Sequence, residues 1–326
     1  MDSIENGRNF RRGDLLRETK GNGLHATDRL LKDWVESGLI DSPERRGSGR
    51  GKGRTGVWSD HQRRMFLTLL SKRQETTSIV PLLNIPVWSW LVWGDHYASL
   101  RQVRRALRTW SKAARTMSAK DSTRSARQAV KMFGSHESLP EDKSDLCRIL
   151  GEMFYSGKPD VEELLPALTR VIDPFEKGEA RGPIGAQFTP ELIGEWFNNV
   201  YLAATCLREP KRYGEIPDYL FHWARFAYLQ GQLSYGLEQP QLSQDREFGR
   251  FFPVLELNDM VMHSCEHLLN FLGIGRNLLK RERDEDMEHP FVWRDRNLET
   301  QITQTEILAD GISITLMIRP VDHRRR

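Results

Sequence analysis

The chain of 326 residues, 38% apolar and 29% charged, has the length of two or three compact domains, and its composition excludes a low-complexity or fibrous class. Its net charge of +3 is unevenly spread: residues 1–131 hold 26 Lys and Arg against 13 Asp and Glu, a net of +13, which leaves 22 basic and 32 acidic residues, a net of −10, in the remaining 195. A cationic front segregated in this way points to a polyanionic partner, whereas a merely solvated surface would mix its signs.

In chain order, Leu15 and Leu16 ahead of Gly21 to Gly23 predict a short first helix. Thr27 is an N-cap for a second, whose apolar stripe is Leu30, Leu31, Trp34 and Val35 and whose end is marked by Gly38. Ser59 and Gln62 stand at capping-box spacing before a third, with Met65, Phe66, Leu69 and Leu70 on one face and Lys72 and Arg73 in its last turn. Between the second and third lies Glu44 to Gly56, in which Arg45, Arg46, Arg50, Lys52 and Arg54 are interleaved with glycine. Taken alone, this loop reads equally as an arm that follows a phosphate backbone and as a basic linker.

The run Thr27-Asp28-Arg29-Leu30-Leu31-Lys32-Asp33-Trp34-Val35-Glu36-Ser37-Gly38-Leu39-Ile40 resembles the MerR-type pattern Ser-x-Arg-x-Leu-Arg-x-Tyr/Trp-x-x-x-Gly-Leu-Leu/Ile. The order helix, helix, basic loop, helix is also that family's order. The resemblance covers about residues 12 to 75 and implies a winged helix-turn-helix domain over residues 1–75 that binds double-stranded DNA. By it, Thr27, Arg29 and Lys32 inherit contacts to the major groove and its phosphates. Arg45, Arg46, Arg50, Lys52 and Arg54 become wing contacts to the backbone or minor groove. Trp58 stands where the family's wing-closing aromatic stands, and Trp34 is expected to pack rather than to read bases. Two features depart from the pattern: Gly56 occupies a position where the family often has Arg, and Ile79 to Trp93 replaces the long dimerising coiled coil.

Thr76 to Gly94 carries no charge across 19 residues, but Pro81, Asn84, Pro86 and Ser89 argue for a buried segment over a membrane span. Leu100, Val103, Leu107 and Trp110 then share one helix face, with Arg101, Arg104, Arg105, Arg108, Lys112 and Arg115 elsewhere on it. Arg101, Arg104, Arg105 and Arg108 are therefore candidates for further phosphate contacts, against the readings of a plain surface helix and of a partner for the acidic C-terminal part. From Arg101 to Lys131 there are ten cations and one acid, Asp121. Residues 76–117 group the apolar segment with this basic helix, and the small, polar stretch 118–141 is the expected interdomain linker.

Residues 142–326 read as a helical domain. Leu146, Ile149, Leu150, Met153 and Phe154 form one run, and Val161, Leu164, Leu165, Leu168 and Ile172 a second. Thr189-Pro190 opens a third, and further runs begin near Pro217 and Pro253. Ile312, Ile314, Leu316 and Ile318 alternate after Asp310-Gly311, predicting a small hairpin that docks on the helices or on another chain. Asp259, His263 and His267 recur at four-residue spacing, which two histidines can use to share a metal. The His-Glu-x-x-His pattern is missing, so neither a metal nor any cofactor is assigned.

Three cysteines at 147, 206 and 265 form no close pair, which argues against a disulfide framework. Met1 to Arg12 lack the apolar core of a secretory leader, so the expected compartment is the cytoplasm. Phosphate-cradling, dinucleotide and nucleophile-elbow motifs are not found, so no catalytic residue is assigned and an enzyme is not expected. The expected fold is mainly α: a winged helix-turn-helix domain, then a helical domain ending in a small hairpin. The expected function is a sequence-specific, double-stranded-DNA-binding transcriptional regulator. The alternative is a weakly selective architectural or partner-recruiting protein that uses the helical domain as its interaction module. In either case a homodimer or another protein would be held by that domain.

Overall fold

The computed structural model describes residues 9–47, 54–76, 78–115, 117–134, 137–172, 189–244, 257–284, 300–308 and 311–318. They fall into two compact units, Met1–Arg276 and Asn277–Arg326, and are mainly helical.

The first unit begins with β1 (Phe10–Arg11), α1 (Arg12–Gly21), α2 (Asp28–Ser37), β2 (Glu44–Gly47), β3 (Arg54–Trp58) and α3 (Asp60–Lys72). The strands make an antiparallel sheet in the order β1-β3-β2. Leu15, Leu31, Trp34, Leu39, Ile40, Met65, Phe66 and Leu69 are buried here, and Trp34 meets Phe66 edge-on at 5.6 Å between ring centres. Arg63 of α3 ties α1 down by bonding Glu18, while its guanidinium lies over the Phe10 ring.

The helical body follows: α4 (Ile79–Trp93), α5 (Leu100–Arg115), α6 (Ala119–Phe133), α7 (Pro140–Ser156), α8 (Val161–Ile172), α9 (Pro190–Arg208), the single turn α10 (Pro210–Tyr213), α11 (Asp218–Leu242), α12 (Leu257–Met262) and α13 (Ser264–Asp284). The uncharged segment is α4, packed against α3, α5, α11 and α12 and buried around its whole circumference. Pro81 sits in its first turn, where a missing N–H leaves no intrahelical bond unmade, while Pro86 lies inside the helix. The buried Asn84 has a defined role: its Oδ1 accepts from the Cys265 N–H at 2.9 Å, satisfying a free donor at the start of α13. At the other end, Arg225 of α11 donates to the Trp90 and Val92 carbonyls at 2.9 and 3.0 Å, placing a cation on the negative end of α4. Among the described residues no helix is long and apolar enough to cross a membrane.

The expected linker at 118–141 is corrected. Most of it is α6, capped by Ser118, whose Oγ accepts from the Asp121 N–H at 3.1 Å. Ser122, Ala126 and Val130 of α6 are buried, the last two in one core with Leu146, Ile149 and Leu150 of α7 and Leu164, Leu168 and Val171 of α8. A buried face built from Ser, Ala and Val lacks the large apolar residues that make helical period visible in sequence, hence its resemblance to a linker. On the surface of this subassembly Arg148 bonds Asp145, Glu152 and Glu163, and Arg170 bonds Asp142 and Asp145. These two arginines thus bridge four carboxylates of α7 and α8.

In the second unit β4 (Thr300–Leu308) and β5 (Gly311–Ile318) form the hairpin. The antiparallel ladder closes at the pair Leu308–Gly311 and shifts register between Ile302 and Gln304. Gly311 therefore opens the second strand instead of occupying the turn.

Candidate nucleic-acid interface

α2 is defined at both ends. The Thr27 hydroxyl accepts from the Leu30 N–H at 3.1 Å, and Gly38 closes the helix at φ +87°, a left-handed conformation that favours glycine. Leu31 and Trp34 face inward, and the Arg73 guanidinium lies 5.9 Å from the centre of the Trp34 ring. Arg29 and Lys32 face outward, with side chains 92% and 77% exposed. Their closest carboxylates, Asp33 and Glu36, are 3.9 Å away one turn along the helix. Contacts this long between exposed groups are worth less than about 1 kcal/mol each, so both cations are free to be redirected.

The strands after α2 pair Arg45 with Gly56, Arg46 with Thr55 and Gly47 with Arg54. Arg45 is exposed. Arg46 and Arg54 are placed here by their backbone alone, and Arg50 and Lys52 lie outside the described residues. Trp58 is buried, and its indole N–H donates to the Asp41 carbonyl at 2.9 Å, fastening the end of β3 to the segment after α2. At Gly56 a Cβ would stand 3.0 Å from the Pro43 side chain, so a larger residue there would crowd the ring.

A pair of buried amides missed in the sequence holds this region to the body. The Gln62 amide donates to the Tyr97 carbonyl at 2.7 Å and to Gln102 Oε1 at 2.9 Å, and its oxygen accepts from the Asp41 N–H at 2.8 Å. Gln102 in turn donates to the Leu39 carbonyl at 2.9 Å. Ser59 does accept from the Gln62 N–H, but the Gln62 side chain serves this cross-element clasp and not a reciprocal cap. The only trace in sequence is two glutamines on otherwise apolar helix faces.

The four candidate arginines of α5 differ from expectation. Arg105 donates to Asp41 at 3.0 Å and to Ser42 at 2.8 Å; burial pulls its pKa down and the Asp41 carboxylate opposes that. Arg104 donates to the Ile216 carbonyl at 2.7 Å, pairs with Asp218 and lies over the Phe221 ring at 4.3 Å. Arg108 donates to the Leu207 carbonyl at 3.0 Å. These three join α5 to the segment after α2, to the segment before α11 and to α9; Arg104 and Arg105 are half-buried in these contacts, whereas Arg108 stays exposed. Arg101, 68% exposed and 3.8 Å from Asp41, keeps its outward charge.

The histidine pair does not form a metal set. The helix breaks at His263, between α12 and α13, and among the described residues no three His, Cys, Asp or Glu side chains are grouped to hold a metal. His263 Nδ1 lies 3.2 Å from Glu266. His267 turns inward instead, with Nδ1 sealed from solvent and its ring near Trp196 of α9 and Tyr228 of α11. Burial drives its pKa from 6.5 to about 4, with Glu266 pulling it up and His263 pushing it down.

A folded pKa below the unfolded one means that the unfolded chain takes up the proton first. The contribution of His267 is therefore complete above about pH 6.5 and lost as pH falls toward 4, by up to about 3 kcal/mol. Denaturant unfolding of His267→Phe should show a flatter pH dependence across that window. An unchanged slope would reject the assignment.

Comparison of the chain with family models, with curated proteins and with solved structures returned no match.

Proposed function

We propose that the chain is a sequence-specific double-stranded-DNA-binding transcriptional regulator, in which α2 enters the major groove as the second helix of a winged helix-turn-helix. The β2 and β3 ladder and the cationic residues between its strands act as the wing. The observation that carries this reading is the division of α2: Leu31 and Trp34 are locked inside while Arg29 and Lys32 stand outside in loose pairs. Asp28, Asp33 and Glu36 on the same helix outnumber its two cations, so α2 has no general attraction for phosphate. Its contribution is selection among base edges, and the arginines of the wing supply affinity independent of sequence.

The test is titration of labelled duplexes, selected from a random pool, over a salt series. Arg29→Glu and Lys32→Glu are expected to abolish preference for the selected site. Arg45→Gln with Arg54→Gln is expected to weaken every duplex alike and to flatten the salt slope by about 0.9 per contact removed. Equal affinity for selected and random duplexes would favour the architectural reading, and failure to bind any duplex at low ionic strength would reject both.

A further inference from the structure

We infer that α6 is a second phosphate-gripping surface, on which Lys120, Arg124, Arg127 and Lys131 hold the backbone of the same duplex outside the segment selected by α2. This rests on the DNA-binding reading above and extends it to a helix that the sequence presents as a linker.

The four cations occur at intervals of four, three and four residues. At 100° per residue this confines them to an arc of about 60° and spreads them along about 16 Å of helix. All four are exposed. Arg124 pairs with Asp121 at 2.8 Å; among the described residues no carboxylate lies within ion-pair distance of Lys120, Arg127 or Lys131. α5 offers the opposite case, since three of its arginines serve internal contacts. Arg101, Arg108, Lys112 and Arg115 of α5 are also exposed, but on α6 every cation is exposed and they share one narrow arc.

The support beneath the stripe is rigid. Ala126 and Val130 are buried on the far side of α6 in the core shared with α7 and α8, with Ser122 buried beside them, so among the described side chains of α6 no apolar face is free to insert into a lipid surface. A membrane is disfavoured on that ground. Beside the stripe, the cleft between α6 and α7 is lined by Thr123, Arg127, Lys143, Ser144, Arg148 and Glu152, so it adds hydroxyl donors and its cations outnumber its one carboxylate. Cations spread along one line with hydroxyls beside them suit a phosphodiester backbone, whose charges repeat along a line.

The experiment uses the full chain with Lys120→Gln, Arg127→Gln and Lys131→Gln combined. The duplexes are a long one carrying the selected site and a short one trimmed to that site. A charge-matched control combines Lys158→Gln, Lys211→Gln and Arg212→Gln, at exposed positions away from α6. On the long duplex the α6 variant should keep its site preference while its salt slope becomes shallower by about 0.9 per contact, close to 3 in all. On the short duplex it should match the unmodified protein, and the control should match it on both.

A wild-type slope in the α6 variant, with site preference intact, overturns the inference and leaves the DNA-binding reading standing. So does an equal flattening by the control. An unmodified chain that binds no duplex at low salt overturns both. Coincident thermal melts establish that the variants fold.

Discussion

Replacing Gly38 with alanine is expected to detach α2 from α5 and to destabilise the first unit by more than about 4 kcal/mol, a loss reserved for substitutions with a specific steric or polar cause. Two penalties act at this residue. Its φ of +87° costs an L side chain about 1 to 2 kcal/mol. The larger one is contact: a Cβ would stand 2.3 Å from the Ala106 N and 2.8 Å from the Arg105 carbonyl carbon, both backbone atoms of α5. A backbone inside a packed helix cannot yield by a side-chain rotation, so α2 must move off. Gly23 separates the two penalties, having φ +68° and nothing within 4 Å of its Cβ position. Gly23→Ala should cost only about 1 kcal/mol, by strain alone. Unfolding midpoints of the two variants, with hydrogen exchange over residues 28–40, make the comparison; equal losses would show that the approach of α5 is unimportant. In the proposed DNA-binding role, duplex binding should disappear in the first variant and persist in the second.

Gly38 illustrates which features were legible in the sequence. A glycine after Leu30, Leu31, Trp34 and Val35 announces the end of a helix, because capping and period are local and need only neighbouring residues. Thr27, Ser59 and Thr189 were readable for the same reason, and each accepts a bond from the expected helix N-terminus. That Gly38 must also admit the backbone of a helix almost seventy residues later depends on packing, which leaves no periodic trace. The internal contacts of three α5 arginines were not legible for that reason. Their charge is plain in the sequence, but the carbonyls of Leu207 and Ile216 that receive Arg108 and Arg104 lie about a hundred residues away. α6 was missed through composition, since Ala126 and Ser122 fill a close helix contact without an apolar signature. Trp34 was read correctly because an aromatic on the apolar stripe of a short capped helix has few alternatives to packing.

Gln102→Ala is expected to be the second most damaging change, at about 3 to 5 kcal/mol, because it removes three buried hydrogen bonds, to Leu39, Met65 and Gln62, and opens a cavity. Gln102 is completely buried; it donates to the Leu39 carbonyl and accepts from Gln62. Removal leaves polar atoms sealed from water without these partners, and each orphaned group costs about 1 to 3 kcal/mol. Gln102→Leu, of similar volume, isolates the polar share and should still cost about 2 kcal/mol or more. The sharper measurement is a double-mutant cycle with Gln62→Ala. Gln62 also joins Tyr97 and Asp41, so the two amides act as one network across the segment after α2, α3 and α5. Coupling above about 1 kcal/mol is expected for a shared buried network. Its counterpart in the proposed DNA-binding role is rigidity: α2 is presented from a frame tied to the body, and loosening that frame would multiply the orientations from which the helix approaches a groove. Both single variants should therefore lose duplex affinity under conditions in which they remain folded. Additive stability losses with undiminished affinity would mean that the amides merely fill space.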